Sequence, residues 1–328
     1  MTYEEFLADW RSPSPTLLVH TSGSTGQPKP MLVEKCRMEA SARTTCSFLG
    51  LKPGDTALIC LPMDYIAGKM MAVRAEVCGL QAVPVEPCGH PLRALTVVPD
   101  FAAMVPLQVY NSLRVPEERE RLRRIRHLII GGGAVDEQLE AALRDFPHAV
   151  WSTYGMTETL SHIALRRISG SGASSWYEPF DDVRVGRTDE GCLTISAPKV
   201  CATTLTTHDI VEMHPDGRRF RILGRSDNTI CSGGLKLQAE ELERRLRPHL
   251  SVPYMITKVP DGKFGQAVVL LVEGHVDDTV AQACTQALAP HERPKHILAV
   301  SRLPQTPTGK PARAEAERMA ADMVQSLL

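Results

Sequence analysis

The stretch HTSGSTGQPKPM, residues 20 to 31, follows the apolar run LLV and concentrates groups that bind anionic oxygen. Gly23 and Gly26 let a backbone come close to a ligand and turn its amides toward one point. Thr21, Ser22, Ser24 and Thr25 add hydroxyl donors, and Lys29 adds a full positive charge. Phosphate is the guest this combination suits. The order is not that of a Walker loop, because no lysine directly follows a glycine and precedes Ser or Thr. Nor does G-x-G-x-x-G follow the strand, as a dinucleotide fingerprint requires. By composition alone, a surface loop with no ligand fits the stretch as well.

The elements that must position such a loop follow from the apolar pattern. From residue 17 to about 155, short apolar runs alternate with helical patterns: TLLVHT, a helix through EKCRMEASARTTCSFLG, DTALIC, a helix near AGKMMAVRAEVCG, and QAVPVE. That alternation predicts a largely parallel sheet covered by helices. VPEERERLRRIRH predicts a charged amphipathic helix leading into the strand LIIGGG, with its arginines as a solvated face. SGSGASSW marks a loop, after which CLTISA, DIVEM, a Pro-Asp-Gly turn at 215 to 217 and FRILG predict a small antiparallel section. Beyond Arg225 the helices AEELERRLRPHL and DTVAQACTQALA mix with the strands AVVLLVE and HILAVS, with a boundary near GRSDN. The expected class is α/β. Residues 1–225 form a large domain with mostly parallel sheet and a small antiparallel β section, and residues 226–328 form a smaller α+β domain.

Composition narrows the function. At 328 residues the chain exceeds one ordinary core and suits two. A formal net charge of -1, with both signs spread along the chain, favours neither nucleic acid nor an anionic membrane and points to a small-molecule enzyme. The cysteines number nine and are never spaced C-x-x-C, which reads as reduced thiols in a cytoplasmic protein, neither a disulfide frame nor a zinc site. MTYEEFLADWRSPS has acidic residues where a secretory signal has positive charge, and the most apolar region, 92 to 110, is broken by Pro99, Asp100 and Pro106. Oligomeric state is left open, a homodimer included.

The motif TSGSTGQPK closely resembles the signature of the adenylate-forming superfamily, which contains acyl-CoA synthetases, peptide-synthetase adenylation domains and luciferases. In that superfamily's order stand GGGA at 131 to 134, STYGMTET at 152 to 159, THDI at 207 to 210, LGRSDNTICSGGLKLQAEELE from 223 and PQTPTGKPAR from 304. DYIAGKMMAVRAEVCGLQAVPVEPCGHPL, FAAMVPLQVYNSL and STYGMTETLSHIALR resemble the short bacterial o-succinylbenzoate-CoA ligases of menaquinone biosynthesis. Superfamily members carry a long region ahead of the loop, so the resemblance implies a reduced front subdomain here.

The resemblance implies an ATP-dependent acid-CoA ligase acting in two steps, acyl-adenylate formation and thiol attack, with ATP, Mg2+ and coenzyme A. It places Thr21, Ser22, Gly23, Ser24, Thr25, Gly26 and Lys29 around the β and γ phosphates. Thr157 would contact the α-phosphate, and Glu158 would be the magnesium ligand, where one carboxylate plus phosphate oxygens and water suits a hard octahedral ion. Tyr154, before Gly155, would stack on adenine, with Gly131, Gly132 and Gly133 as a backbone wall. Asp209 would accept from the ribose hydroxyls beside Arg225. Asp227 falls at the hinge; Gly233, Gly234 and Lys236 would line the pantetheine path. Lys310 would be the catalytic ammonium, bridging carboxylate and α-phosphate. Departures from the pattern are His208 in place of Gly, Pro30 after the loop lysine, and Asp64 and Tyr65 where many relatives have a gating His. A second carboxylate on the acid needs a cation; Lys69 is one candidate, with a snorkelling helix lysine as the alternative.

Overall fold

A computed structural model describes residues 1–20, 30–306 and 311–326. In chain order the elements are α1 (Tyr3–Arg11), β1 (Thr16–His20), β2 (Pro30–Glu34), α2 (Lys35–Leu49), β3 (Thr56–Ile59), α3 (Ile66–Cys78), β4 (Gln81–Pro84), β5 (Phe101–Met104), α4 (Pro106–Arg114), α5 (Pro116–Arg124), β6 (His127–Ile130), α6 (Glu137–Leu143), β7 (Ala149–Gly155), β8 (His162–Arg167) and β9 (Glu178–Pro179). They continue as β10 (Arg184–Arg187), β11 (Cys192–Ser196), β12 (Leu205–Met213), β13 (Phe220–Arg225), β14 (Thr229–Ser232), β15 (Leu235–Gln238), α7 (Ala239–Leu246), β16 (Tyr254–Asp261), β17 (Gly265–Glu273), α8 (Asp278–Ala287), β18 (His296–Val300) and α9 (Arg313–Gln325). The chain divides into two compact units. The first comprises Met1–Gly186, Thr194–Leu205 and Met213–Arg221; the second comprises Arg187–Leu193, Thr206–Glu212 and Ile222–Leu328. Strands β10 to β13 form a four-stranded sheet of order β10-β11-β12-β13.

The first unit is built on a seven-stranded sheet of order β4-β3-β5-β6-β7-β8-β9. The pairs from β4 through β7 are parallel, and β8 and β9 add antiparallel edges. Ala57, Leu58 and Ile59 of β3, Phe101 and Ala102 of β5, and Leu128 to Ile130 of β6 are all buried, the unbroken apolar runs of strands covered on both faces. TLLVH forms the strand β1 but does not join this sheet, a correction to the alternation reading. β1 pairs antiparallel with β2 as a separate ribbon. Its side chains alternate, Leu17 and Val19 buried and Leu18 exposed, so only one face is covered, whereas a parallel strand needs both.

In the second unit β17 is the central strand, antiparallel to β16 and parallel to β18. Its side chains alternate between two cores. Val268, Leu270 and Val272 pack with Leu242 and Leu246 of α7 and Val280 and Ala283 of α8. Ala267, Val269 and Leu271 pack with Ala316 and Ala320 of α9. Arg313, the first residue of α9, grips Glu243 of α7 with both nitrogens, Nη1–Oε1 2.6 Å and Nη2–Oε2 2.7 Å.

Candidate active site

In open α/β sheets ligands bind at the carboxyl ends of the strands, and the ends of β6 and β7 carry the GGG and YGMTET residues. Gly131 continues β6, its N–H donating to Met104 O at 3.1 Å. A Cβ on Gly131 would stand 2.5 Å from Thr153 Oγ1, and Gly132 has a φ of +77°, so bare backbone forms this rim. The β7–β8 register shifts between Tyr154 and Gly155. At Gly155 a Cβ would lie 2.2 Å from the Ser161 carbonyl oxygen, which leaves room only for glycine. Tyr154 is buried, its ring edge-on to Phe220 at 5.2 Å and tilted against Tyr177 at 5.8 Å.

Thr157 to Thr159 form a single tight turn. Thr159 Oγ1 accepts from Met156 N at 3.1 Å and donates to Ser161 O at 2.7 Å. Leu160 follows at φ +65°, a conformation L residues rarely adopt, which stores about 1–3 kcal/mol of strain. The turn buries Thr157 and exposes Glu158. Among the described residues no group of three or more His, Cys, Asp or Glu could hold a metal ion. A lone exposed carboxylate at Glu158 therefore fits magnesium shared with phosphate oxygens and water, and does not fit an all-protein cage.

Beside this turn sits a charge that the sequence reading missed. Arg74 of α3 is fully buried; its Nη2 donates to Ser161 Oγ at 2.6 Å and reaches Thr45 Oγ1 at 3.4 Å. Nη1 lies 3.7 Å from Met71 Sδ, and Nε has no partner. Burial lowers its pKa to about 10, so it stays cationic at neutral pH, and among the described residues no carboxylate pairs with it. His162 lies in the same cluster, Nε2 3.1 Å from Thr45 Oγ1 and Nδ1 3.3 Å from Ser161 Oγ. Its burial, and then Arg74, push its pKa well below the usual histidine value, so the ring is neutral. Lys69 points elsewhere: it is buried, with Nζ 5.3 Å from the Phe6 ring of α1 and 3.6 Å from Met1 Sδ. It is thus no snorkelling lysine. The signal for Arg74 was its position, one arginine among the small and apolar residues of IAGKMMAVRAEVC.

The second unit gathers its own charged residues. Arg225 Nη1 lies 3.3 Å from Asp209 Oδ1, and Nη2 donates to Asp227 Oδ2 at 2.7 Å. Burial works against the Arg225 cation, but Asp227 and Asp209 outweigh it and raise the pKa. Asp227 Oδ1 is 3.0 Å from His208 Nδ1, so the residue that departs from the resembled pattern joins the same chain of charges. Gly233 and Gly234, at φ +58° and +82°, are the central pair of the two-residue turn between β14 and β15. Both central residues at positive φ mark a type I′ hairpin, which demands glycine or asparagine. Lys236 is exposed on that hairpin, opposite Cys231. Thr21, Ser22, Gly23, Ser24, Thr25, Gly26, Lys29 and Lys310 lie outside the described residues.

The model of the AMP-binding enzyme family matches residues 6–189, more than half of the chain. The chain belongs to the AMP-binding enzymes. Among solved structures, this AMP-binding enzyme is similar to an acyl-CoA synthetase (AMP-forming)/AMP-acid ligase II-like protein from Dyadobacter fermentans, 33% identical, covering 95% of this chain and 92% of that one with a TM-score of 0.65. The O-succinylbenzoate coenzyme A synthetase of Bacillus subtilis, in complex with ATP and magnesium ion, shares the fold at a TM-score of 0.74 and 21% identity, covering 91% of this chain and 69% of that one. Among curated relatives, the 2-succinylbenzoate–CoA ligase of Listeria monocytogenes is 25% identical over 93% of this chain and 70% of its own length. No helix among the described residues is long and apolar enough to cross a membrane.

Proposed function

We propose that this AMP-binding enzyme is an ATP-dependent acid-CoA ligase, and that its acid is o-succinylbenzoate. The observation that carries the choice of acid is Arg74, a buried guanidinium with no carboxylate partner beside the Thr157–Thr159 turn. A buried cation left without an anion is costly, and a substrate with a second carboxylate supplies one. The similarity to the Listeria ligase supports the same acid.

In the first half-reaction the acid's carboxylate attacks the α-phosphorus in line, and pyrophosphate leaves. Negative charge grows at the α-phosphate and on the leaving group, and the chain's task is to meet it. In this reading Thr21, Ser22, Gly23, Ser24, Thr25, Gly26 and Lys29 receive the departing pyrophosphate. Thr157 donates to the α-phosphate, and Lys310 bridges it to the attacking carboxylate. Glu158 holds Mg2+, which when bound neutralises phosphate charge. Asp209 and Arg225 hold the ribose, while Tyr154, Gly155 and Gly131 to Gly133 border the adenine. In the second half-reaction the domain at 226–328 turns about Asp227 relative to that at 1–225, and Gly233, Gly234 and Lys236 guide the thiol of coenzyme A to the carbonyl.

The test is pyrophosphate release from ATP with a panel of acids, followed by thioester formation on adding coenzyme A. Release should be fastest with o-succinylbenzoate. Faster release with a monocarboxylate overturns the acid, and ATP binding without release for every acid overturns the ligase. Lys310→Ala should lose adenylation yet still form thioester from supplied acyl-adenylate; equal loss of both half-reactions removes Lys310 from its role.

A further inference from the structure

All nine cysteines are free thiols, yet two of them are not independent. Cys46 is buried on α2, and Cys78, the last residue of α3, is half-buried. Cys78 Sγ lies 3.9 Å from Ala42 O, the carbonyl one helical turn before Cys46 on the same face of α2, so the two cysteines meet where α2 packs on α3. Their surroundings are electropositive. The neighbouring Cys46 sulfhydryl, and then Arg43 and Arg74, bring the Cys78 thiol down to about 7 against a desolvation that raises it. Cys46 moves the other way, raised by the Cys78 thiol beside it and by burial. Cys78, half-buried where Cys46 is buried, is the thiol that a peroxide can reach, and a thiol titrating near ambient pH attacks best. Elsewhere burial pushes Cys60 up to about 12, which leaves it inert.

We propose that Cys46 and Cys78 form an oxidation-sensitive dithiol, a modification site between α2 and α3 that closes to a disulfide on contact with a peroxide. The Cys78 thiolate attacks one peroxide oxygen; the O–O bond breaks, giving a sulfenic acid and hydroxide. Hydroxide takes the Cys46 proton, and the new thiolate attacks the Cys78 sulfur. The S–S bond forms as the S–O bond breaks, and the hydroxide released leaves as water with the proton first lost by Cys78. Two thiols and one hydrogen peroxide thus give one disulfide and two waters.

The experiment exposes the reduced full chain to one equivalent of hydrogen peroxide, alkylates the remaining thiols and maps the non-reduced digest by mass. A peptide pair joined through residues 46 and 78, lighter by two hydrogens and released by dithiothreitol, is expected. Cys46→Ser should stall at a Cys78 sulfenic acid that dimedone traps, and Cys78→Ser should leave Cys46 unmodified. In unoxidised protein, alkylation of Cys78 by iodoacetamide should rise with a midpoint near 7. The proposal is overturned if the exposed Cys36, Cys88 or Cys231 oxidise first, if no pair joins residues 46 and 78, or if Cys78 alkylates with the ordinary thiol midpoint of 9.0. None of these readouts depends on which acid the protein activates.

Discussion

Replacing Arg74 with methionine should make the protein more stable and less active. The guanidinium titrates at about 10, well below the ordinary arginine value, and at roughly 1.4 kcal/mol per pH unit its burial stands about 3 kcal/mol against the charged form. Because that pKa is depressed, the penalty is present at every pH below about 10, neutral pH included. Methionine keeps most of the stem's apolar packing and removes the charge. It also forfeits the bonds to Ser161 and Thr45, worth about 1–2 kcal/mol together, since Ser161 Oγ keeps His162 as a partner. Arg74→Met should therefore gain on the order of 1–2 kcal/mol in urea unfolding. The same change removes the cation assigned to the acid's second carboxylate, and breaking such a buried pair costs about 3–5 kcal/mol. Hence kcat/KM for o-succinylbenzoate should fall by roughly a hundredfold or more, while a monocarboxylic acid is affected little. A loss of stability above about 2 kcal/mol, or equal loss with both acids, would show that Arg74 is there for the fold.

Other outcomes follow from the same geometry. Gly155→Ala should cost about 3 kcal/mol or more and abolish pyrophosphate release, because its Cβ would sit 2.2 Å from Ser161 O; wild-type thermal stability would contradict the close approach. His162 is held neutral in the fold but titrates near 6.5 when exposed, so the unfolded chain binds more protons as pH falls below 6.5. Its contribution is thus intact above that pH and lost below it, by at most about 1.4 kcal/mol per pH unit, and His162→Gln should flatten the slope of unfolding free energy between pH 6.5 and roughly 5. Arg313→Met strands Glu243, whose side chain is only 16% exposed, and should cost about 2–3 kcal/mol, less than a fully buried pair because both partners touch solvent. A double-mutant cycle with Glu243→Gln, read by hydrogen exchange in β16, should return most of that cost as coupling.

Strands and helices were legible where one period dominated. α2, α8 and the apolar runs of β3 and β6 read directly from their spacing, and so did the charged helix α5. The partner of β1 did not, because a five-residue apolar strand looks the same in a ribbon as in a sheet, and its partner is the distant segment Pro30–Glu34. β16 was passed over because its TKVPD end mixes a proline and charges into an otherwise apolar strand, tolerable only in an edge position, where the fold puts it. In the site, the residues that carry motifs were legible as motifs, and the charge chain Asp209–Arg225–Asp227 joins two of them, THDI and LGRSDN. Arg74 was not read, since its only local signal is an apolar setting in α3, and its partners Thr45 and Ser161 are distant in sequence.

The backbone from Gly155 to Leu160 leaves evolution little latitude. With no room for a side chain at its entrance and a left-handed residue at its exit, the segment bearing Thr157 and Glu158 behaves as a fixed jig. Tailoring such a scaffold to acids of other shapes should therefore proceed by exchanging residues along α3, and libraries aimed at the jig itself should yield mostly inactive protein.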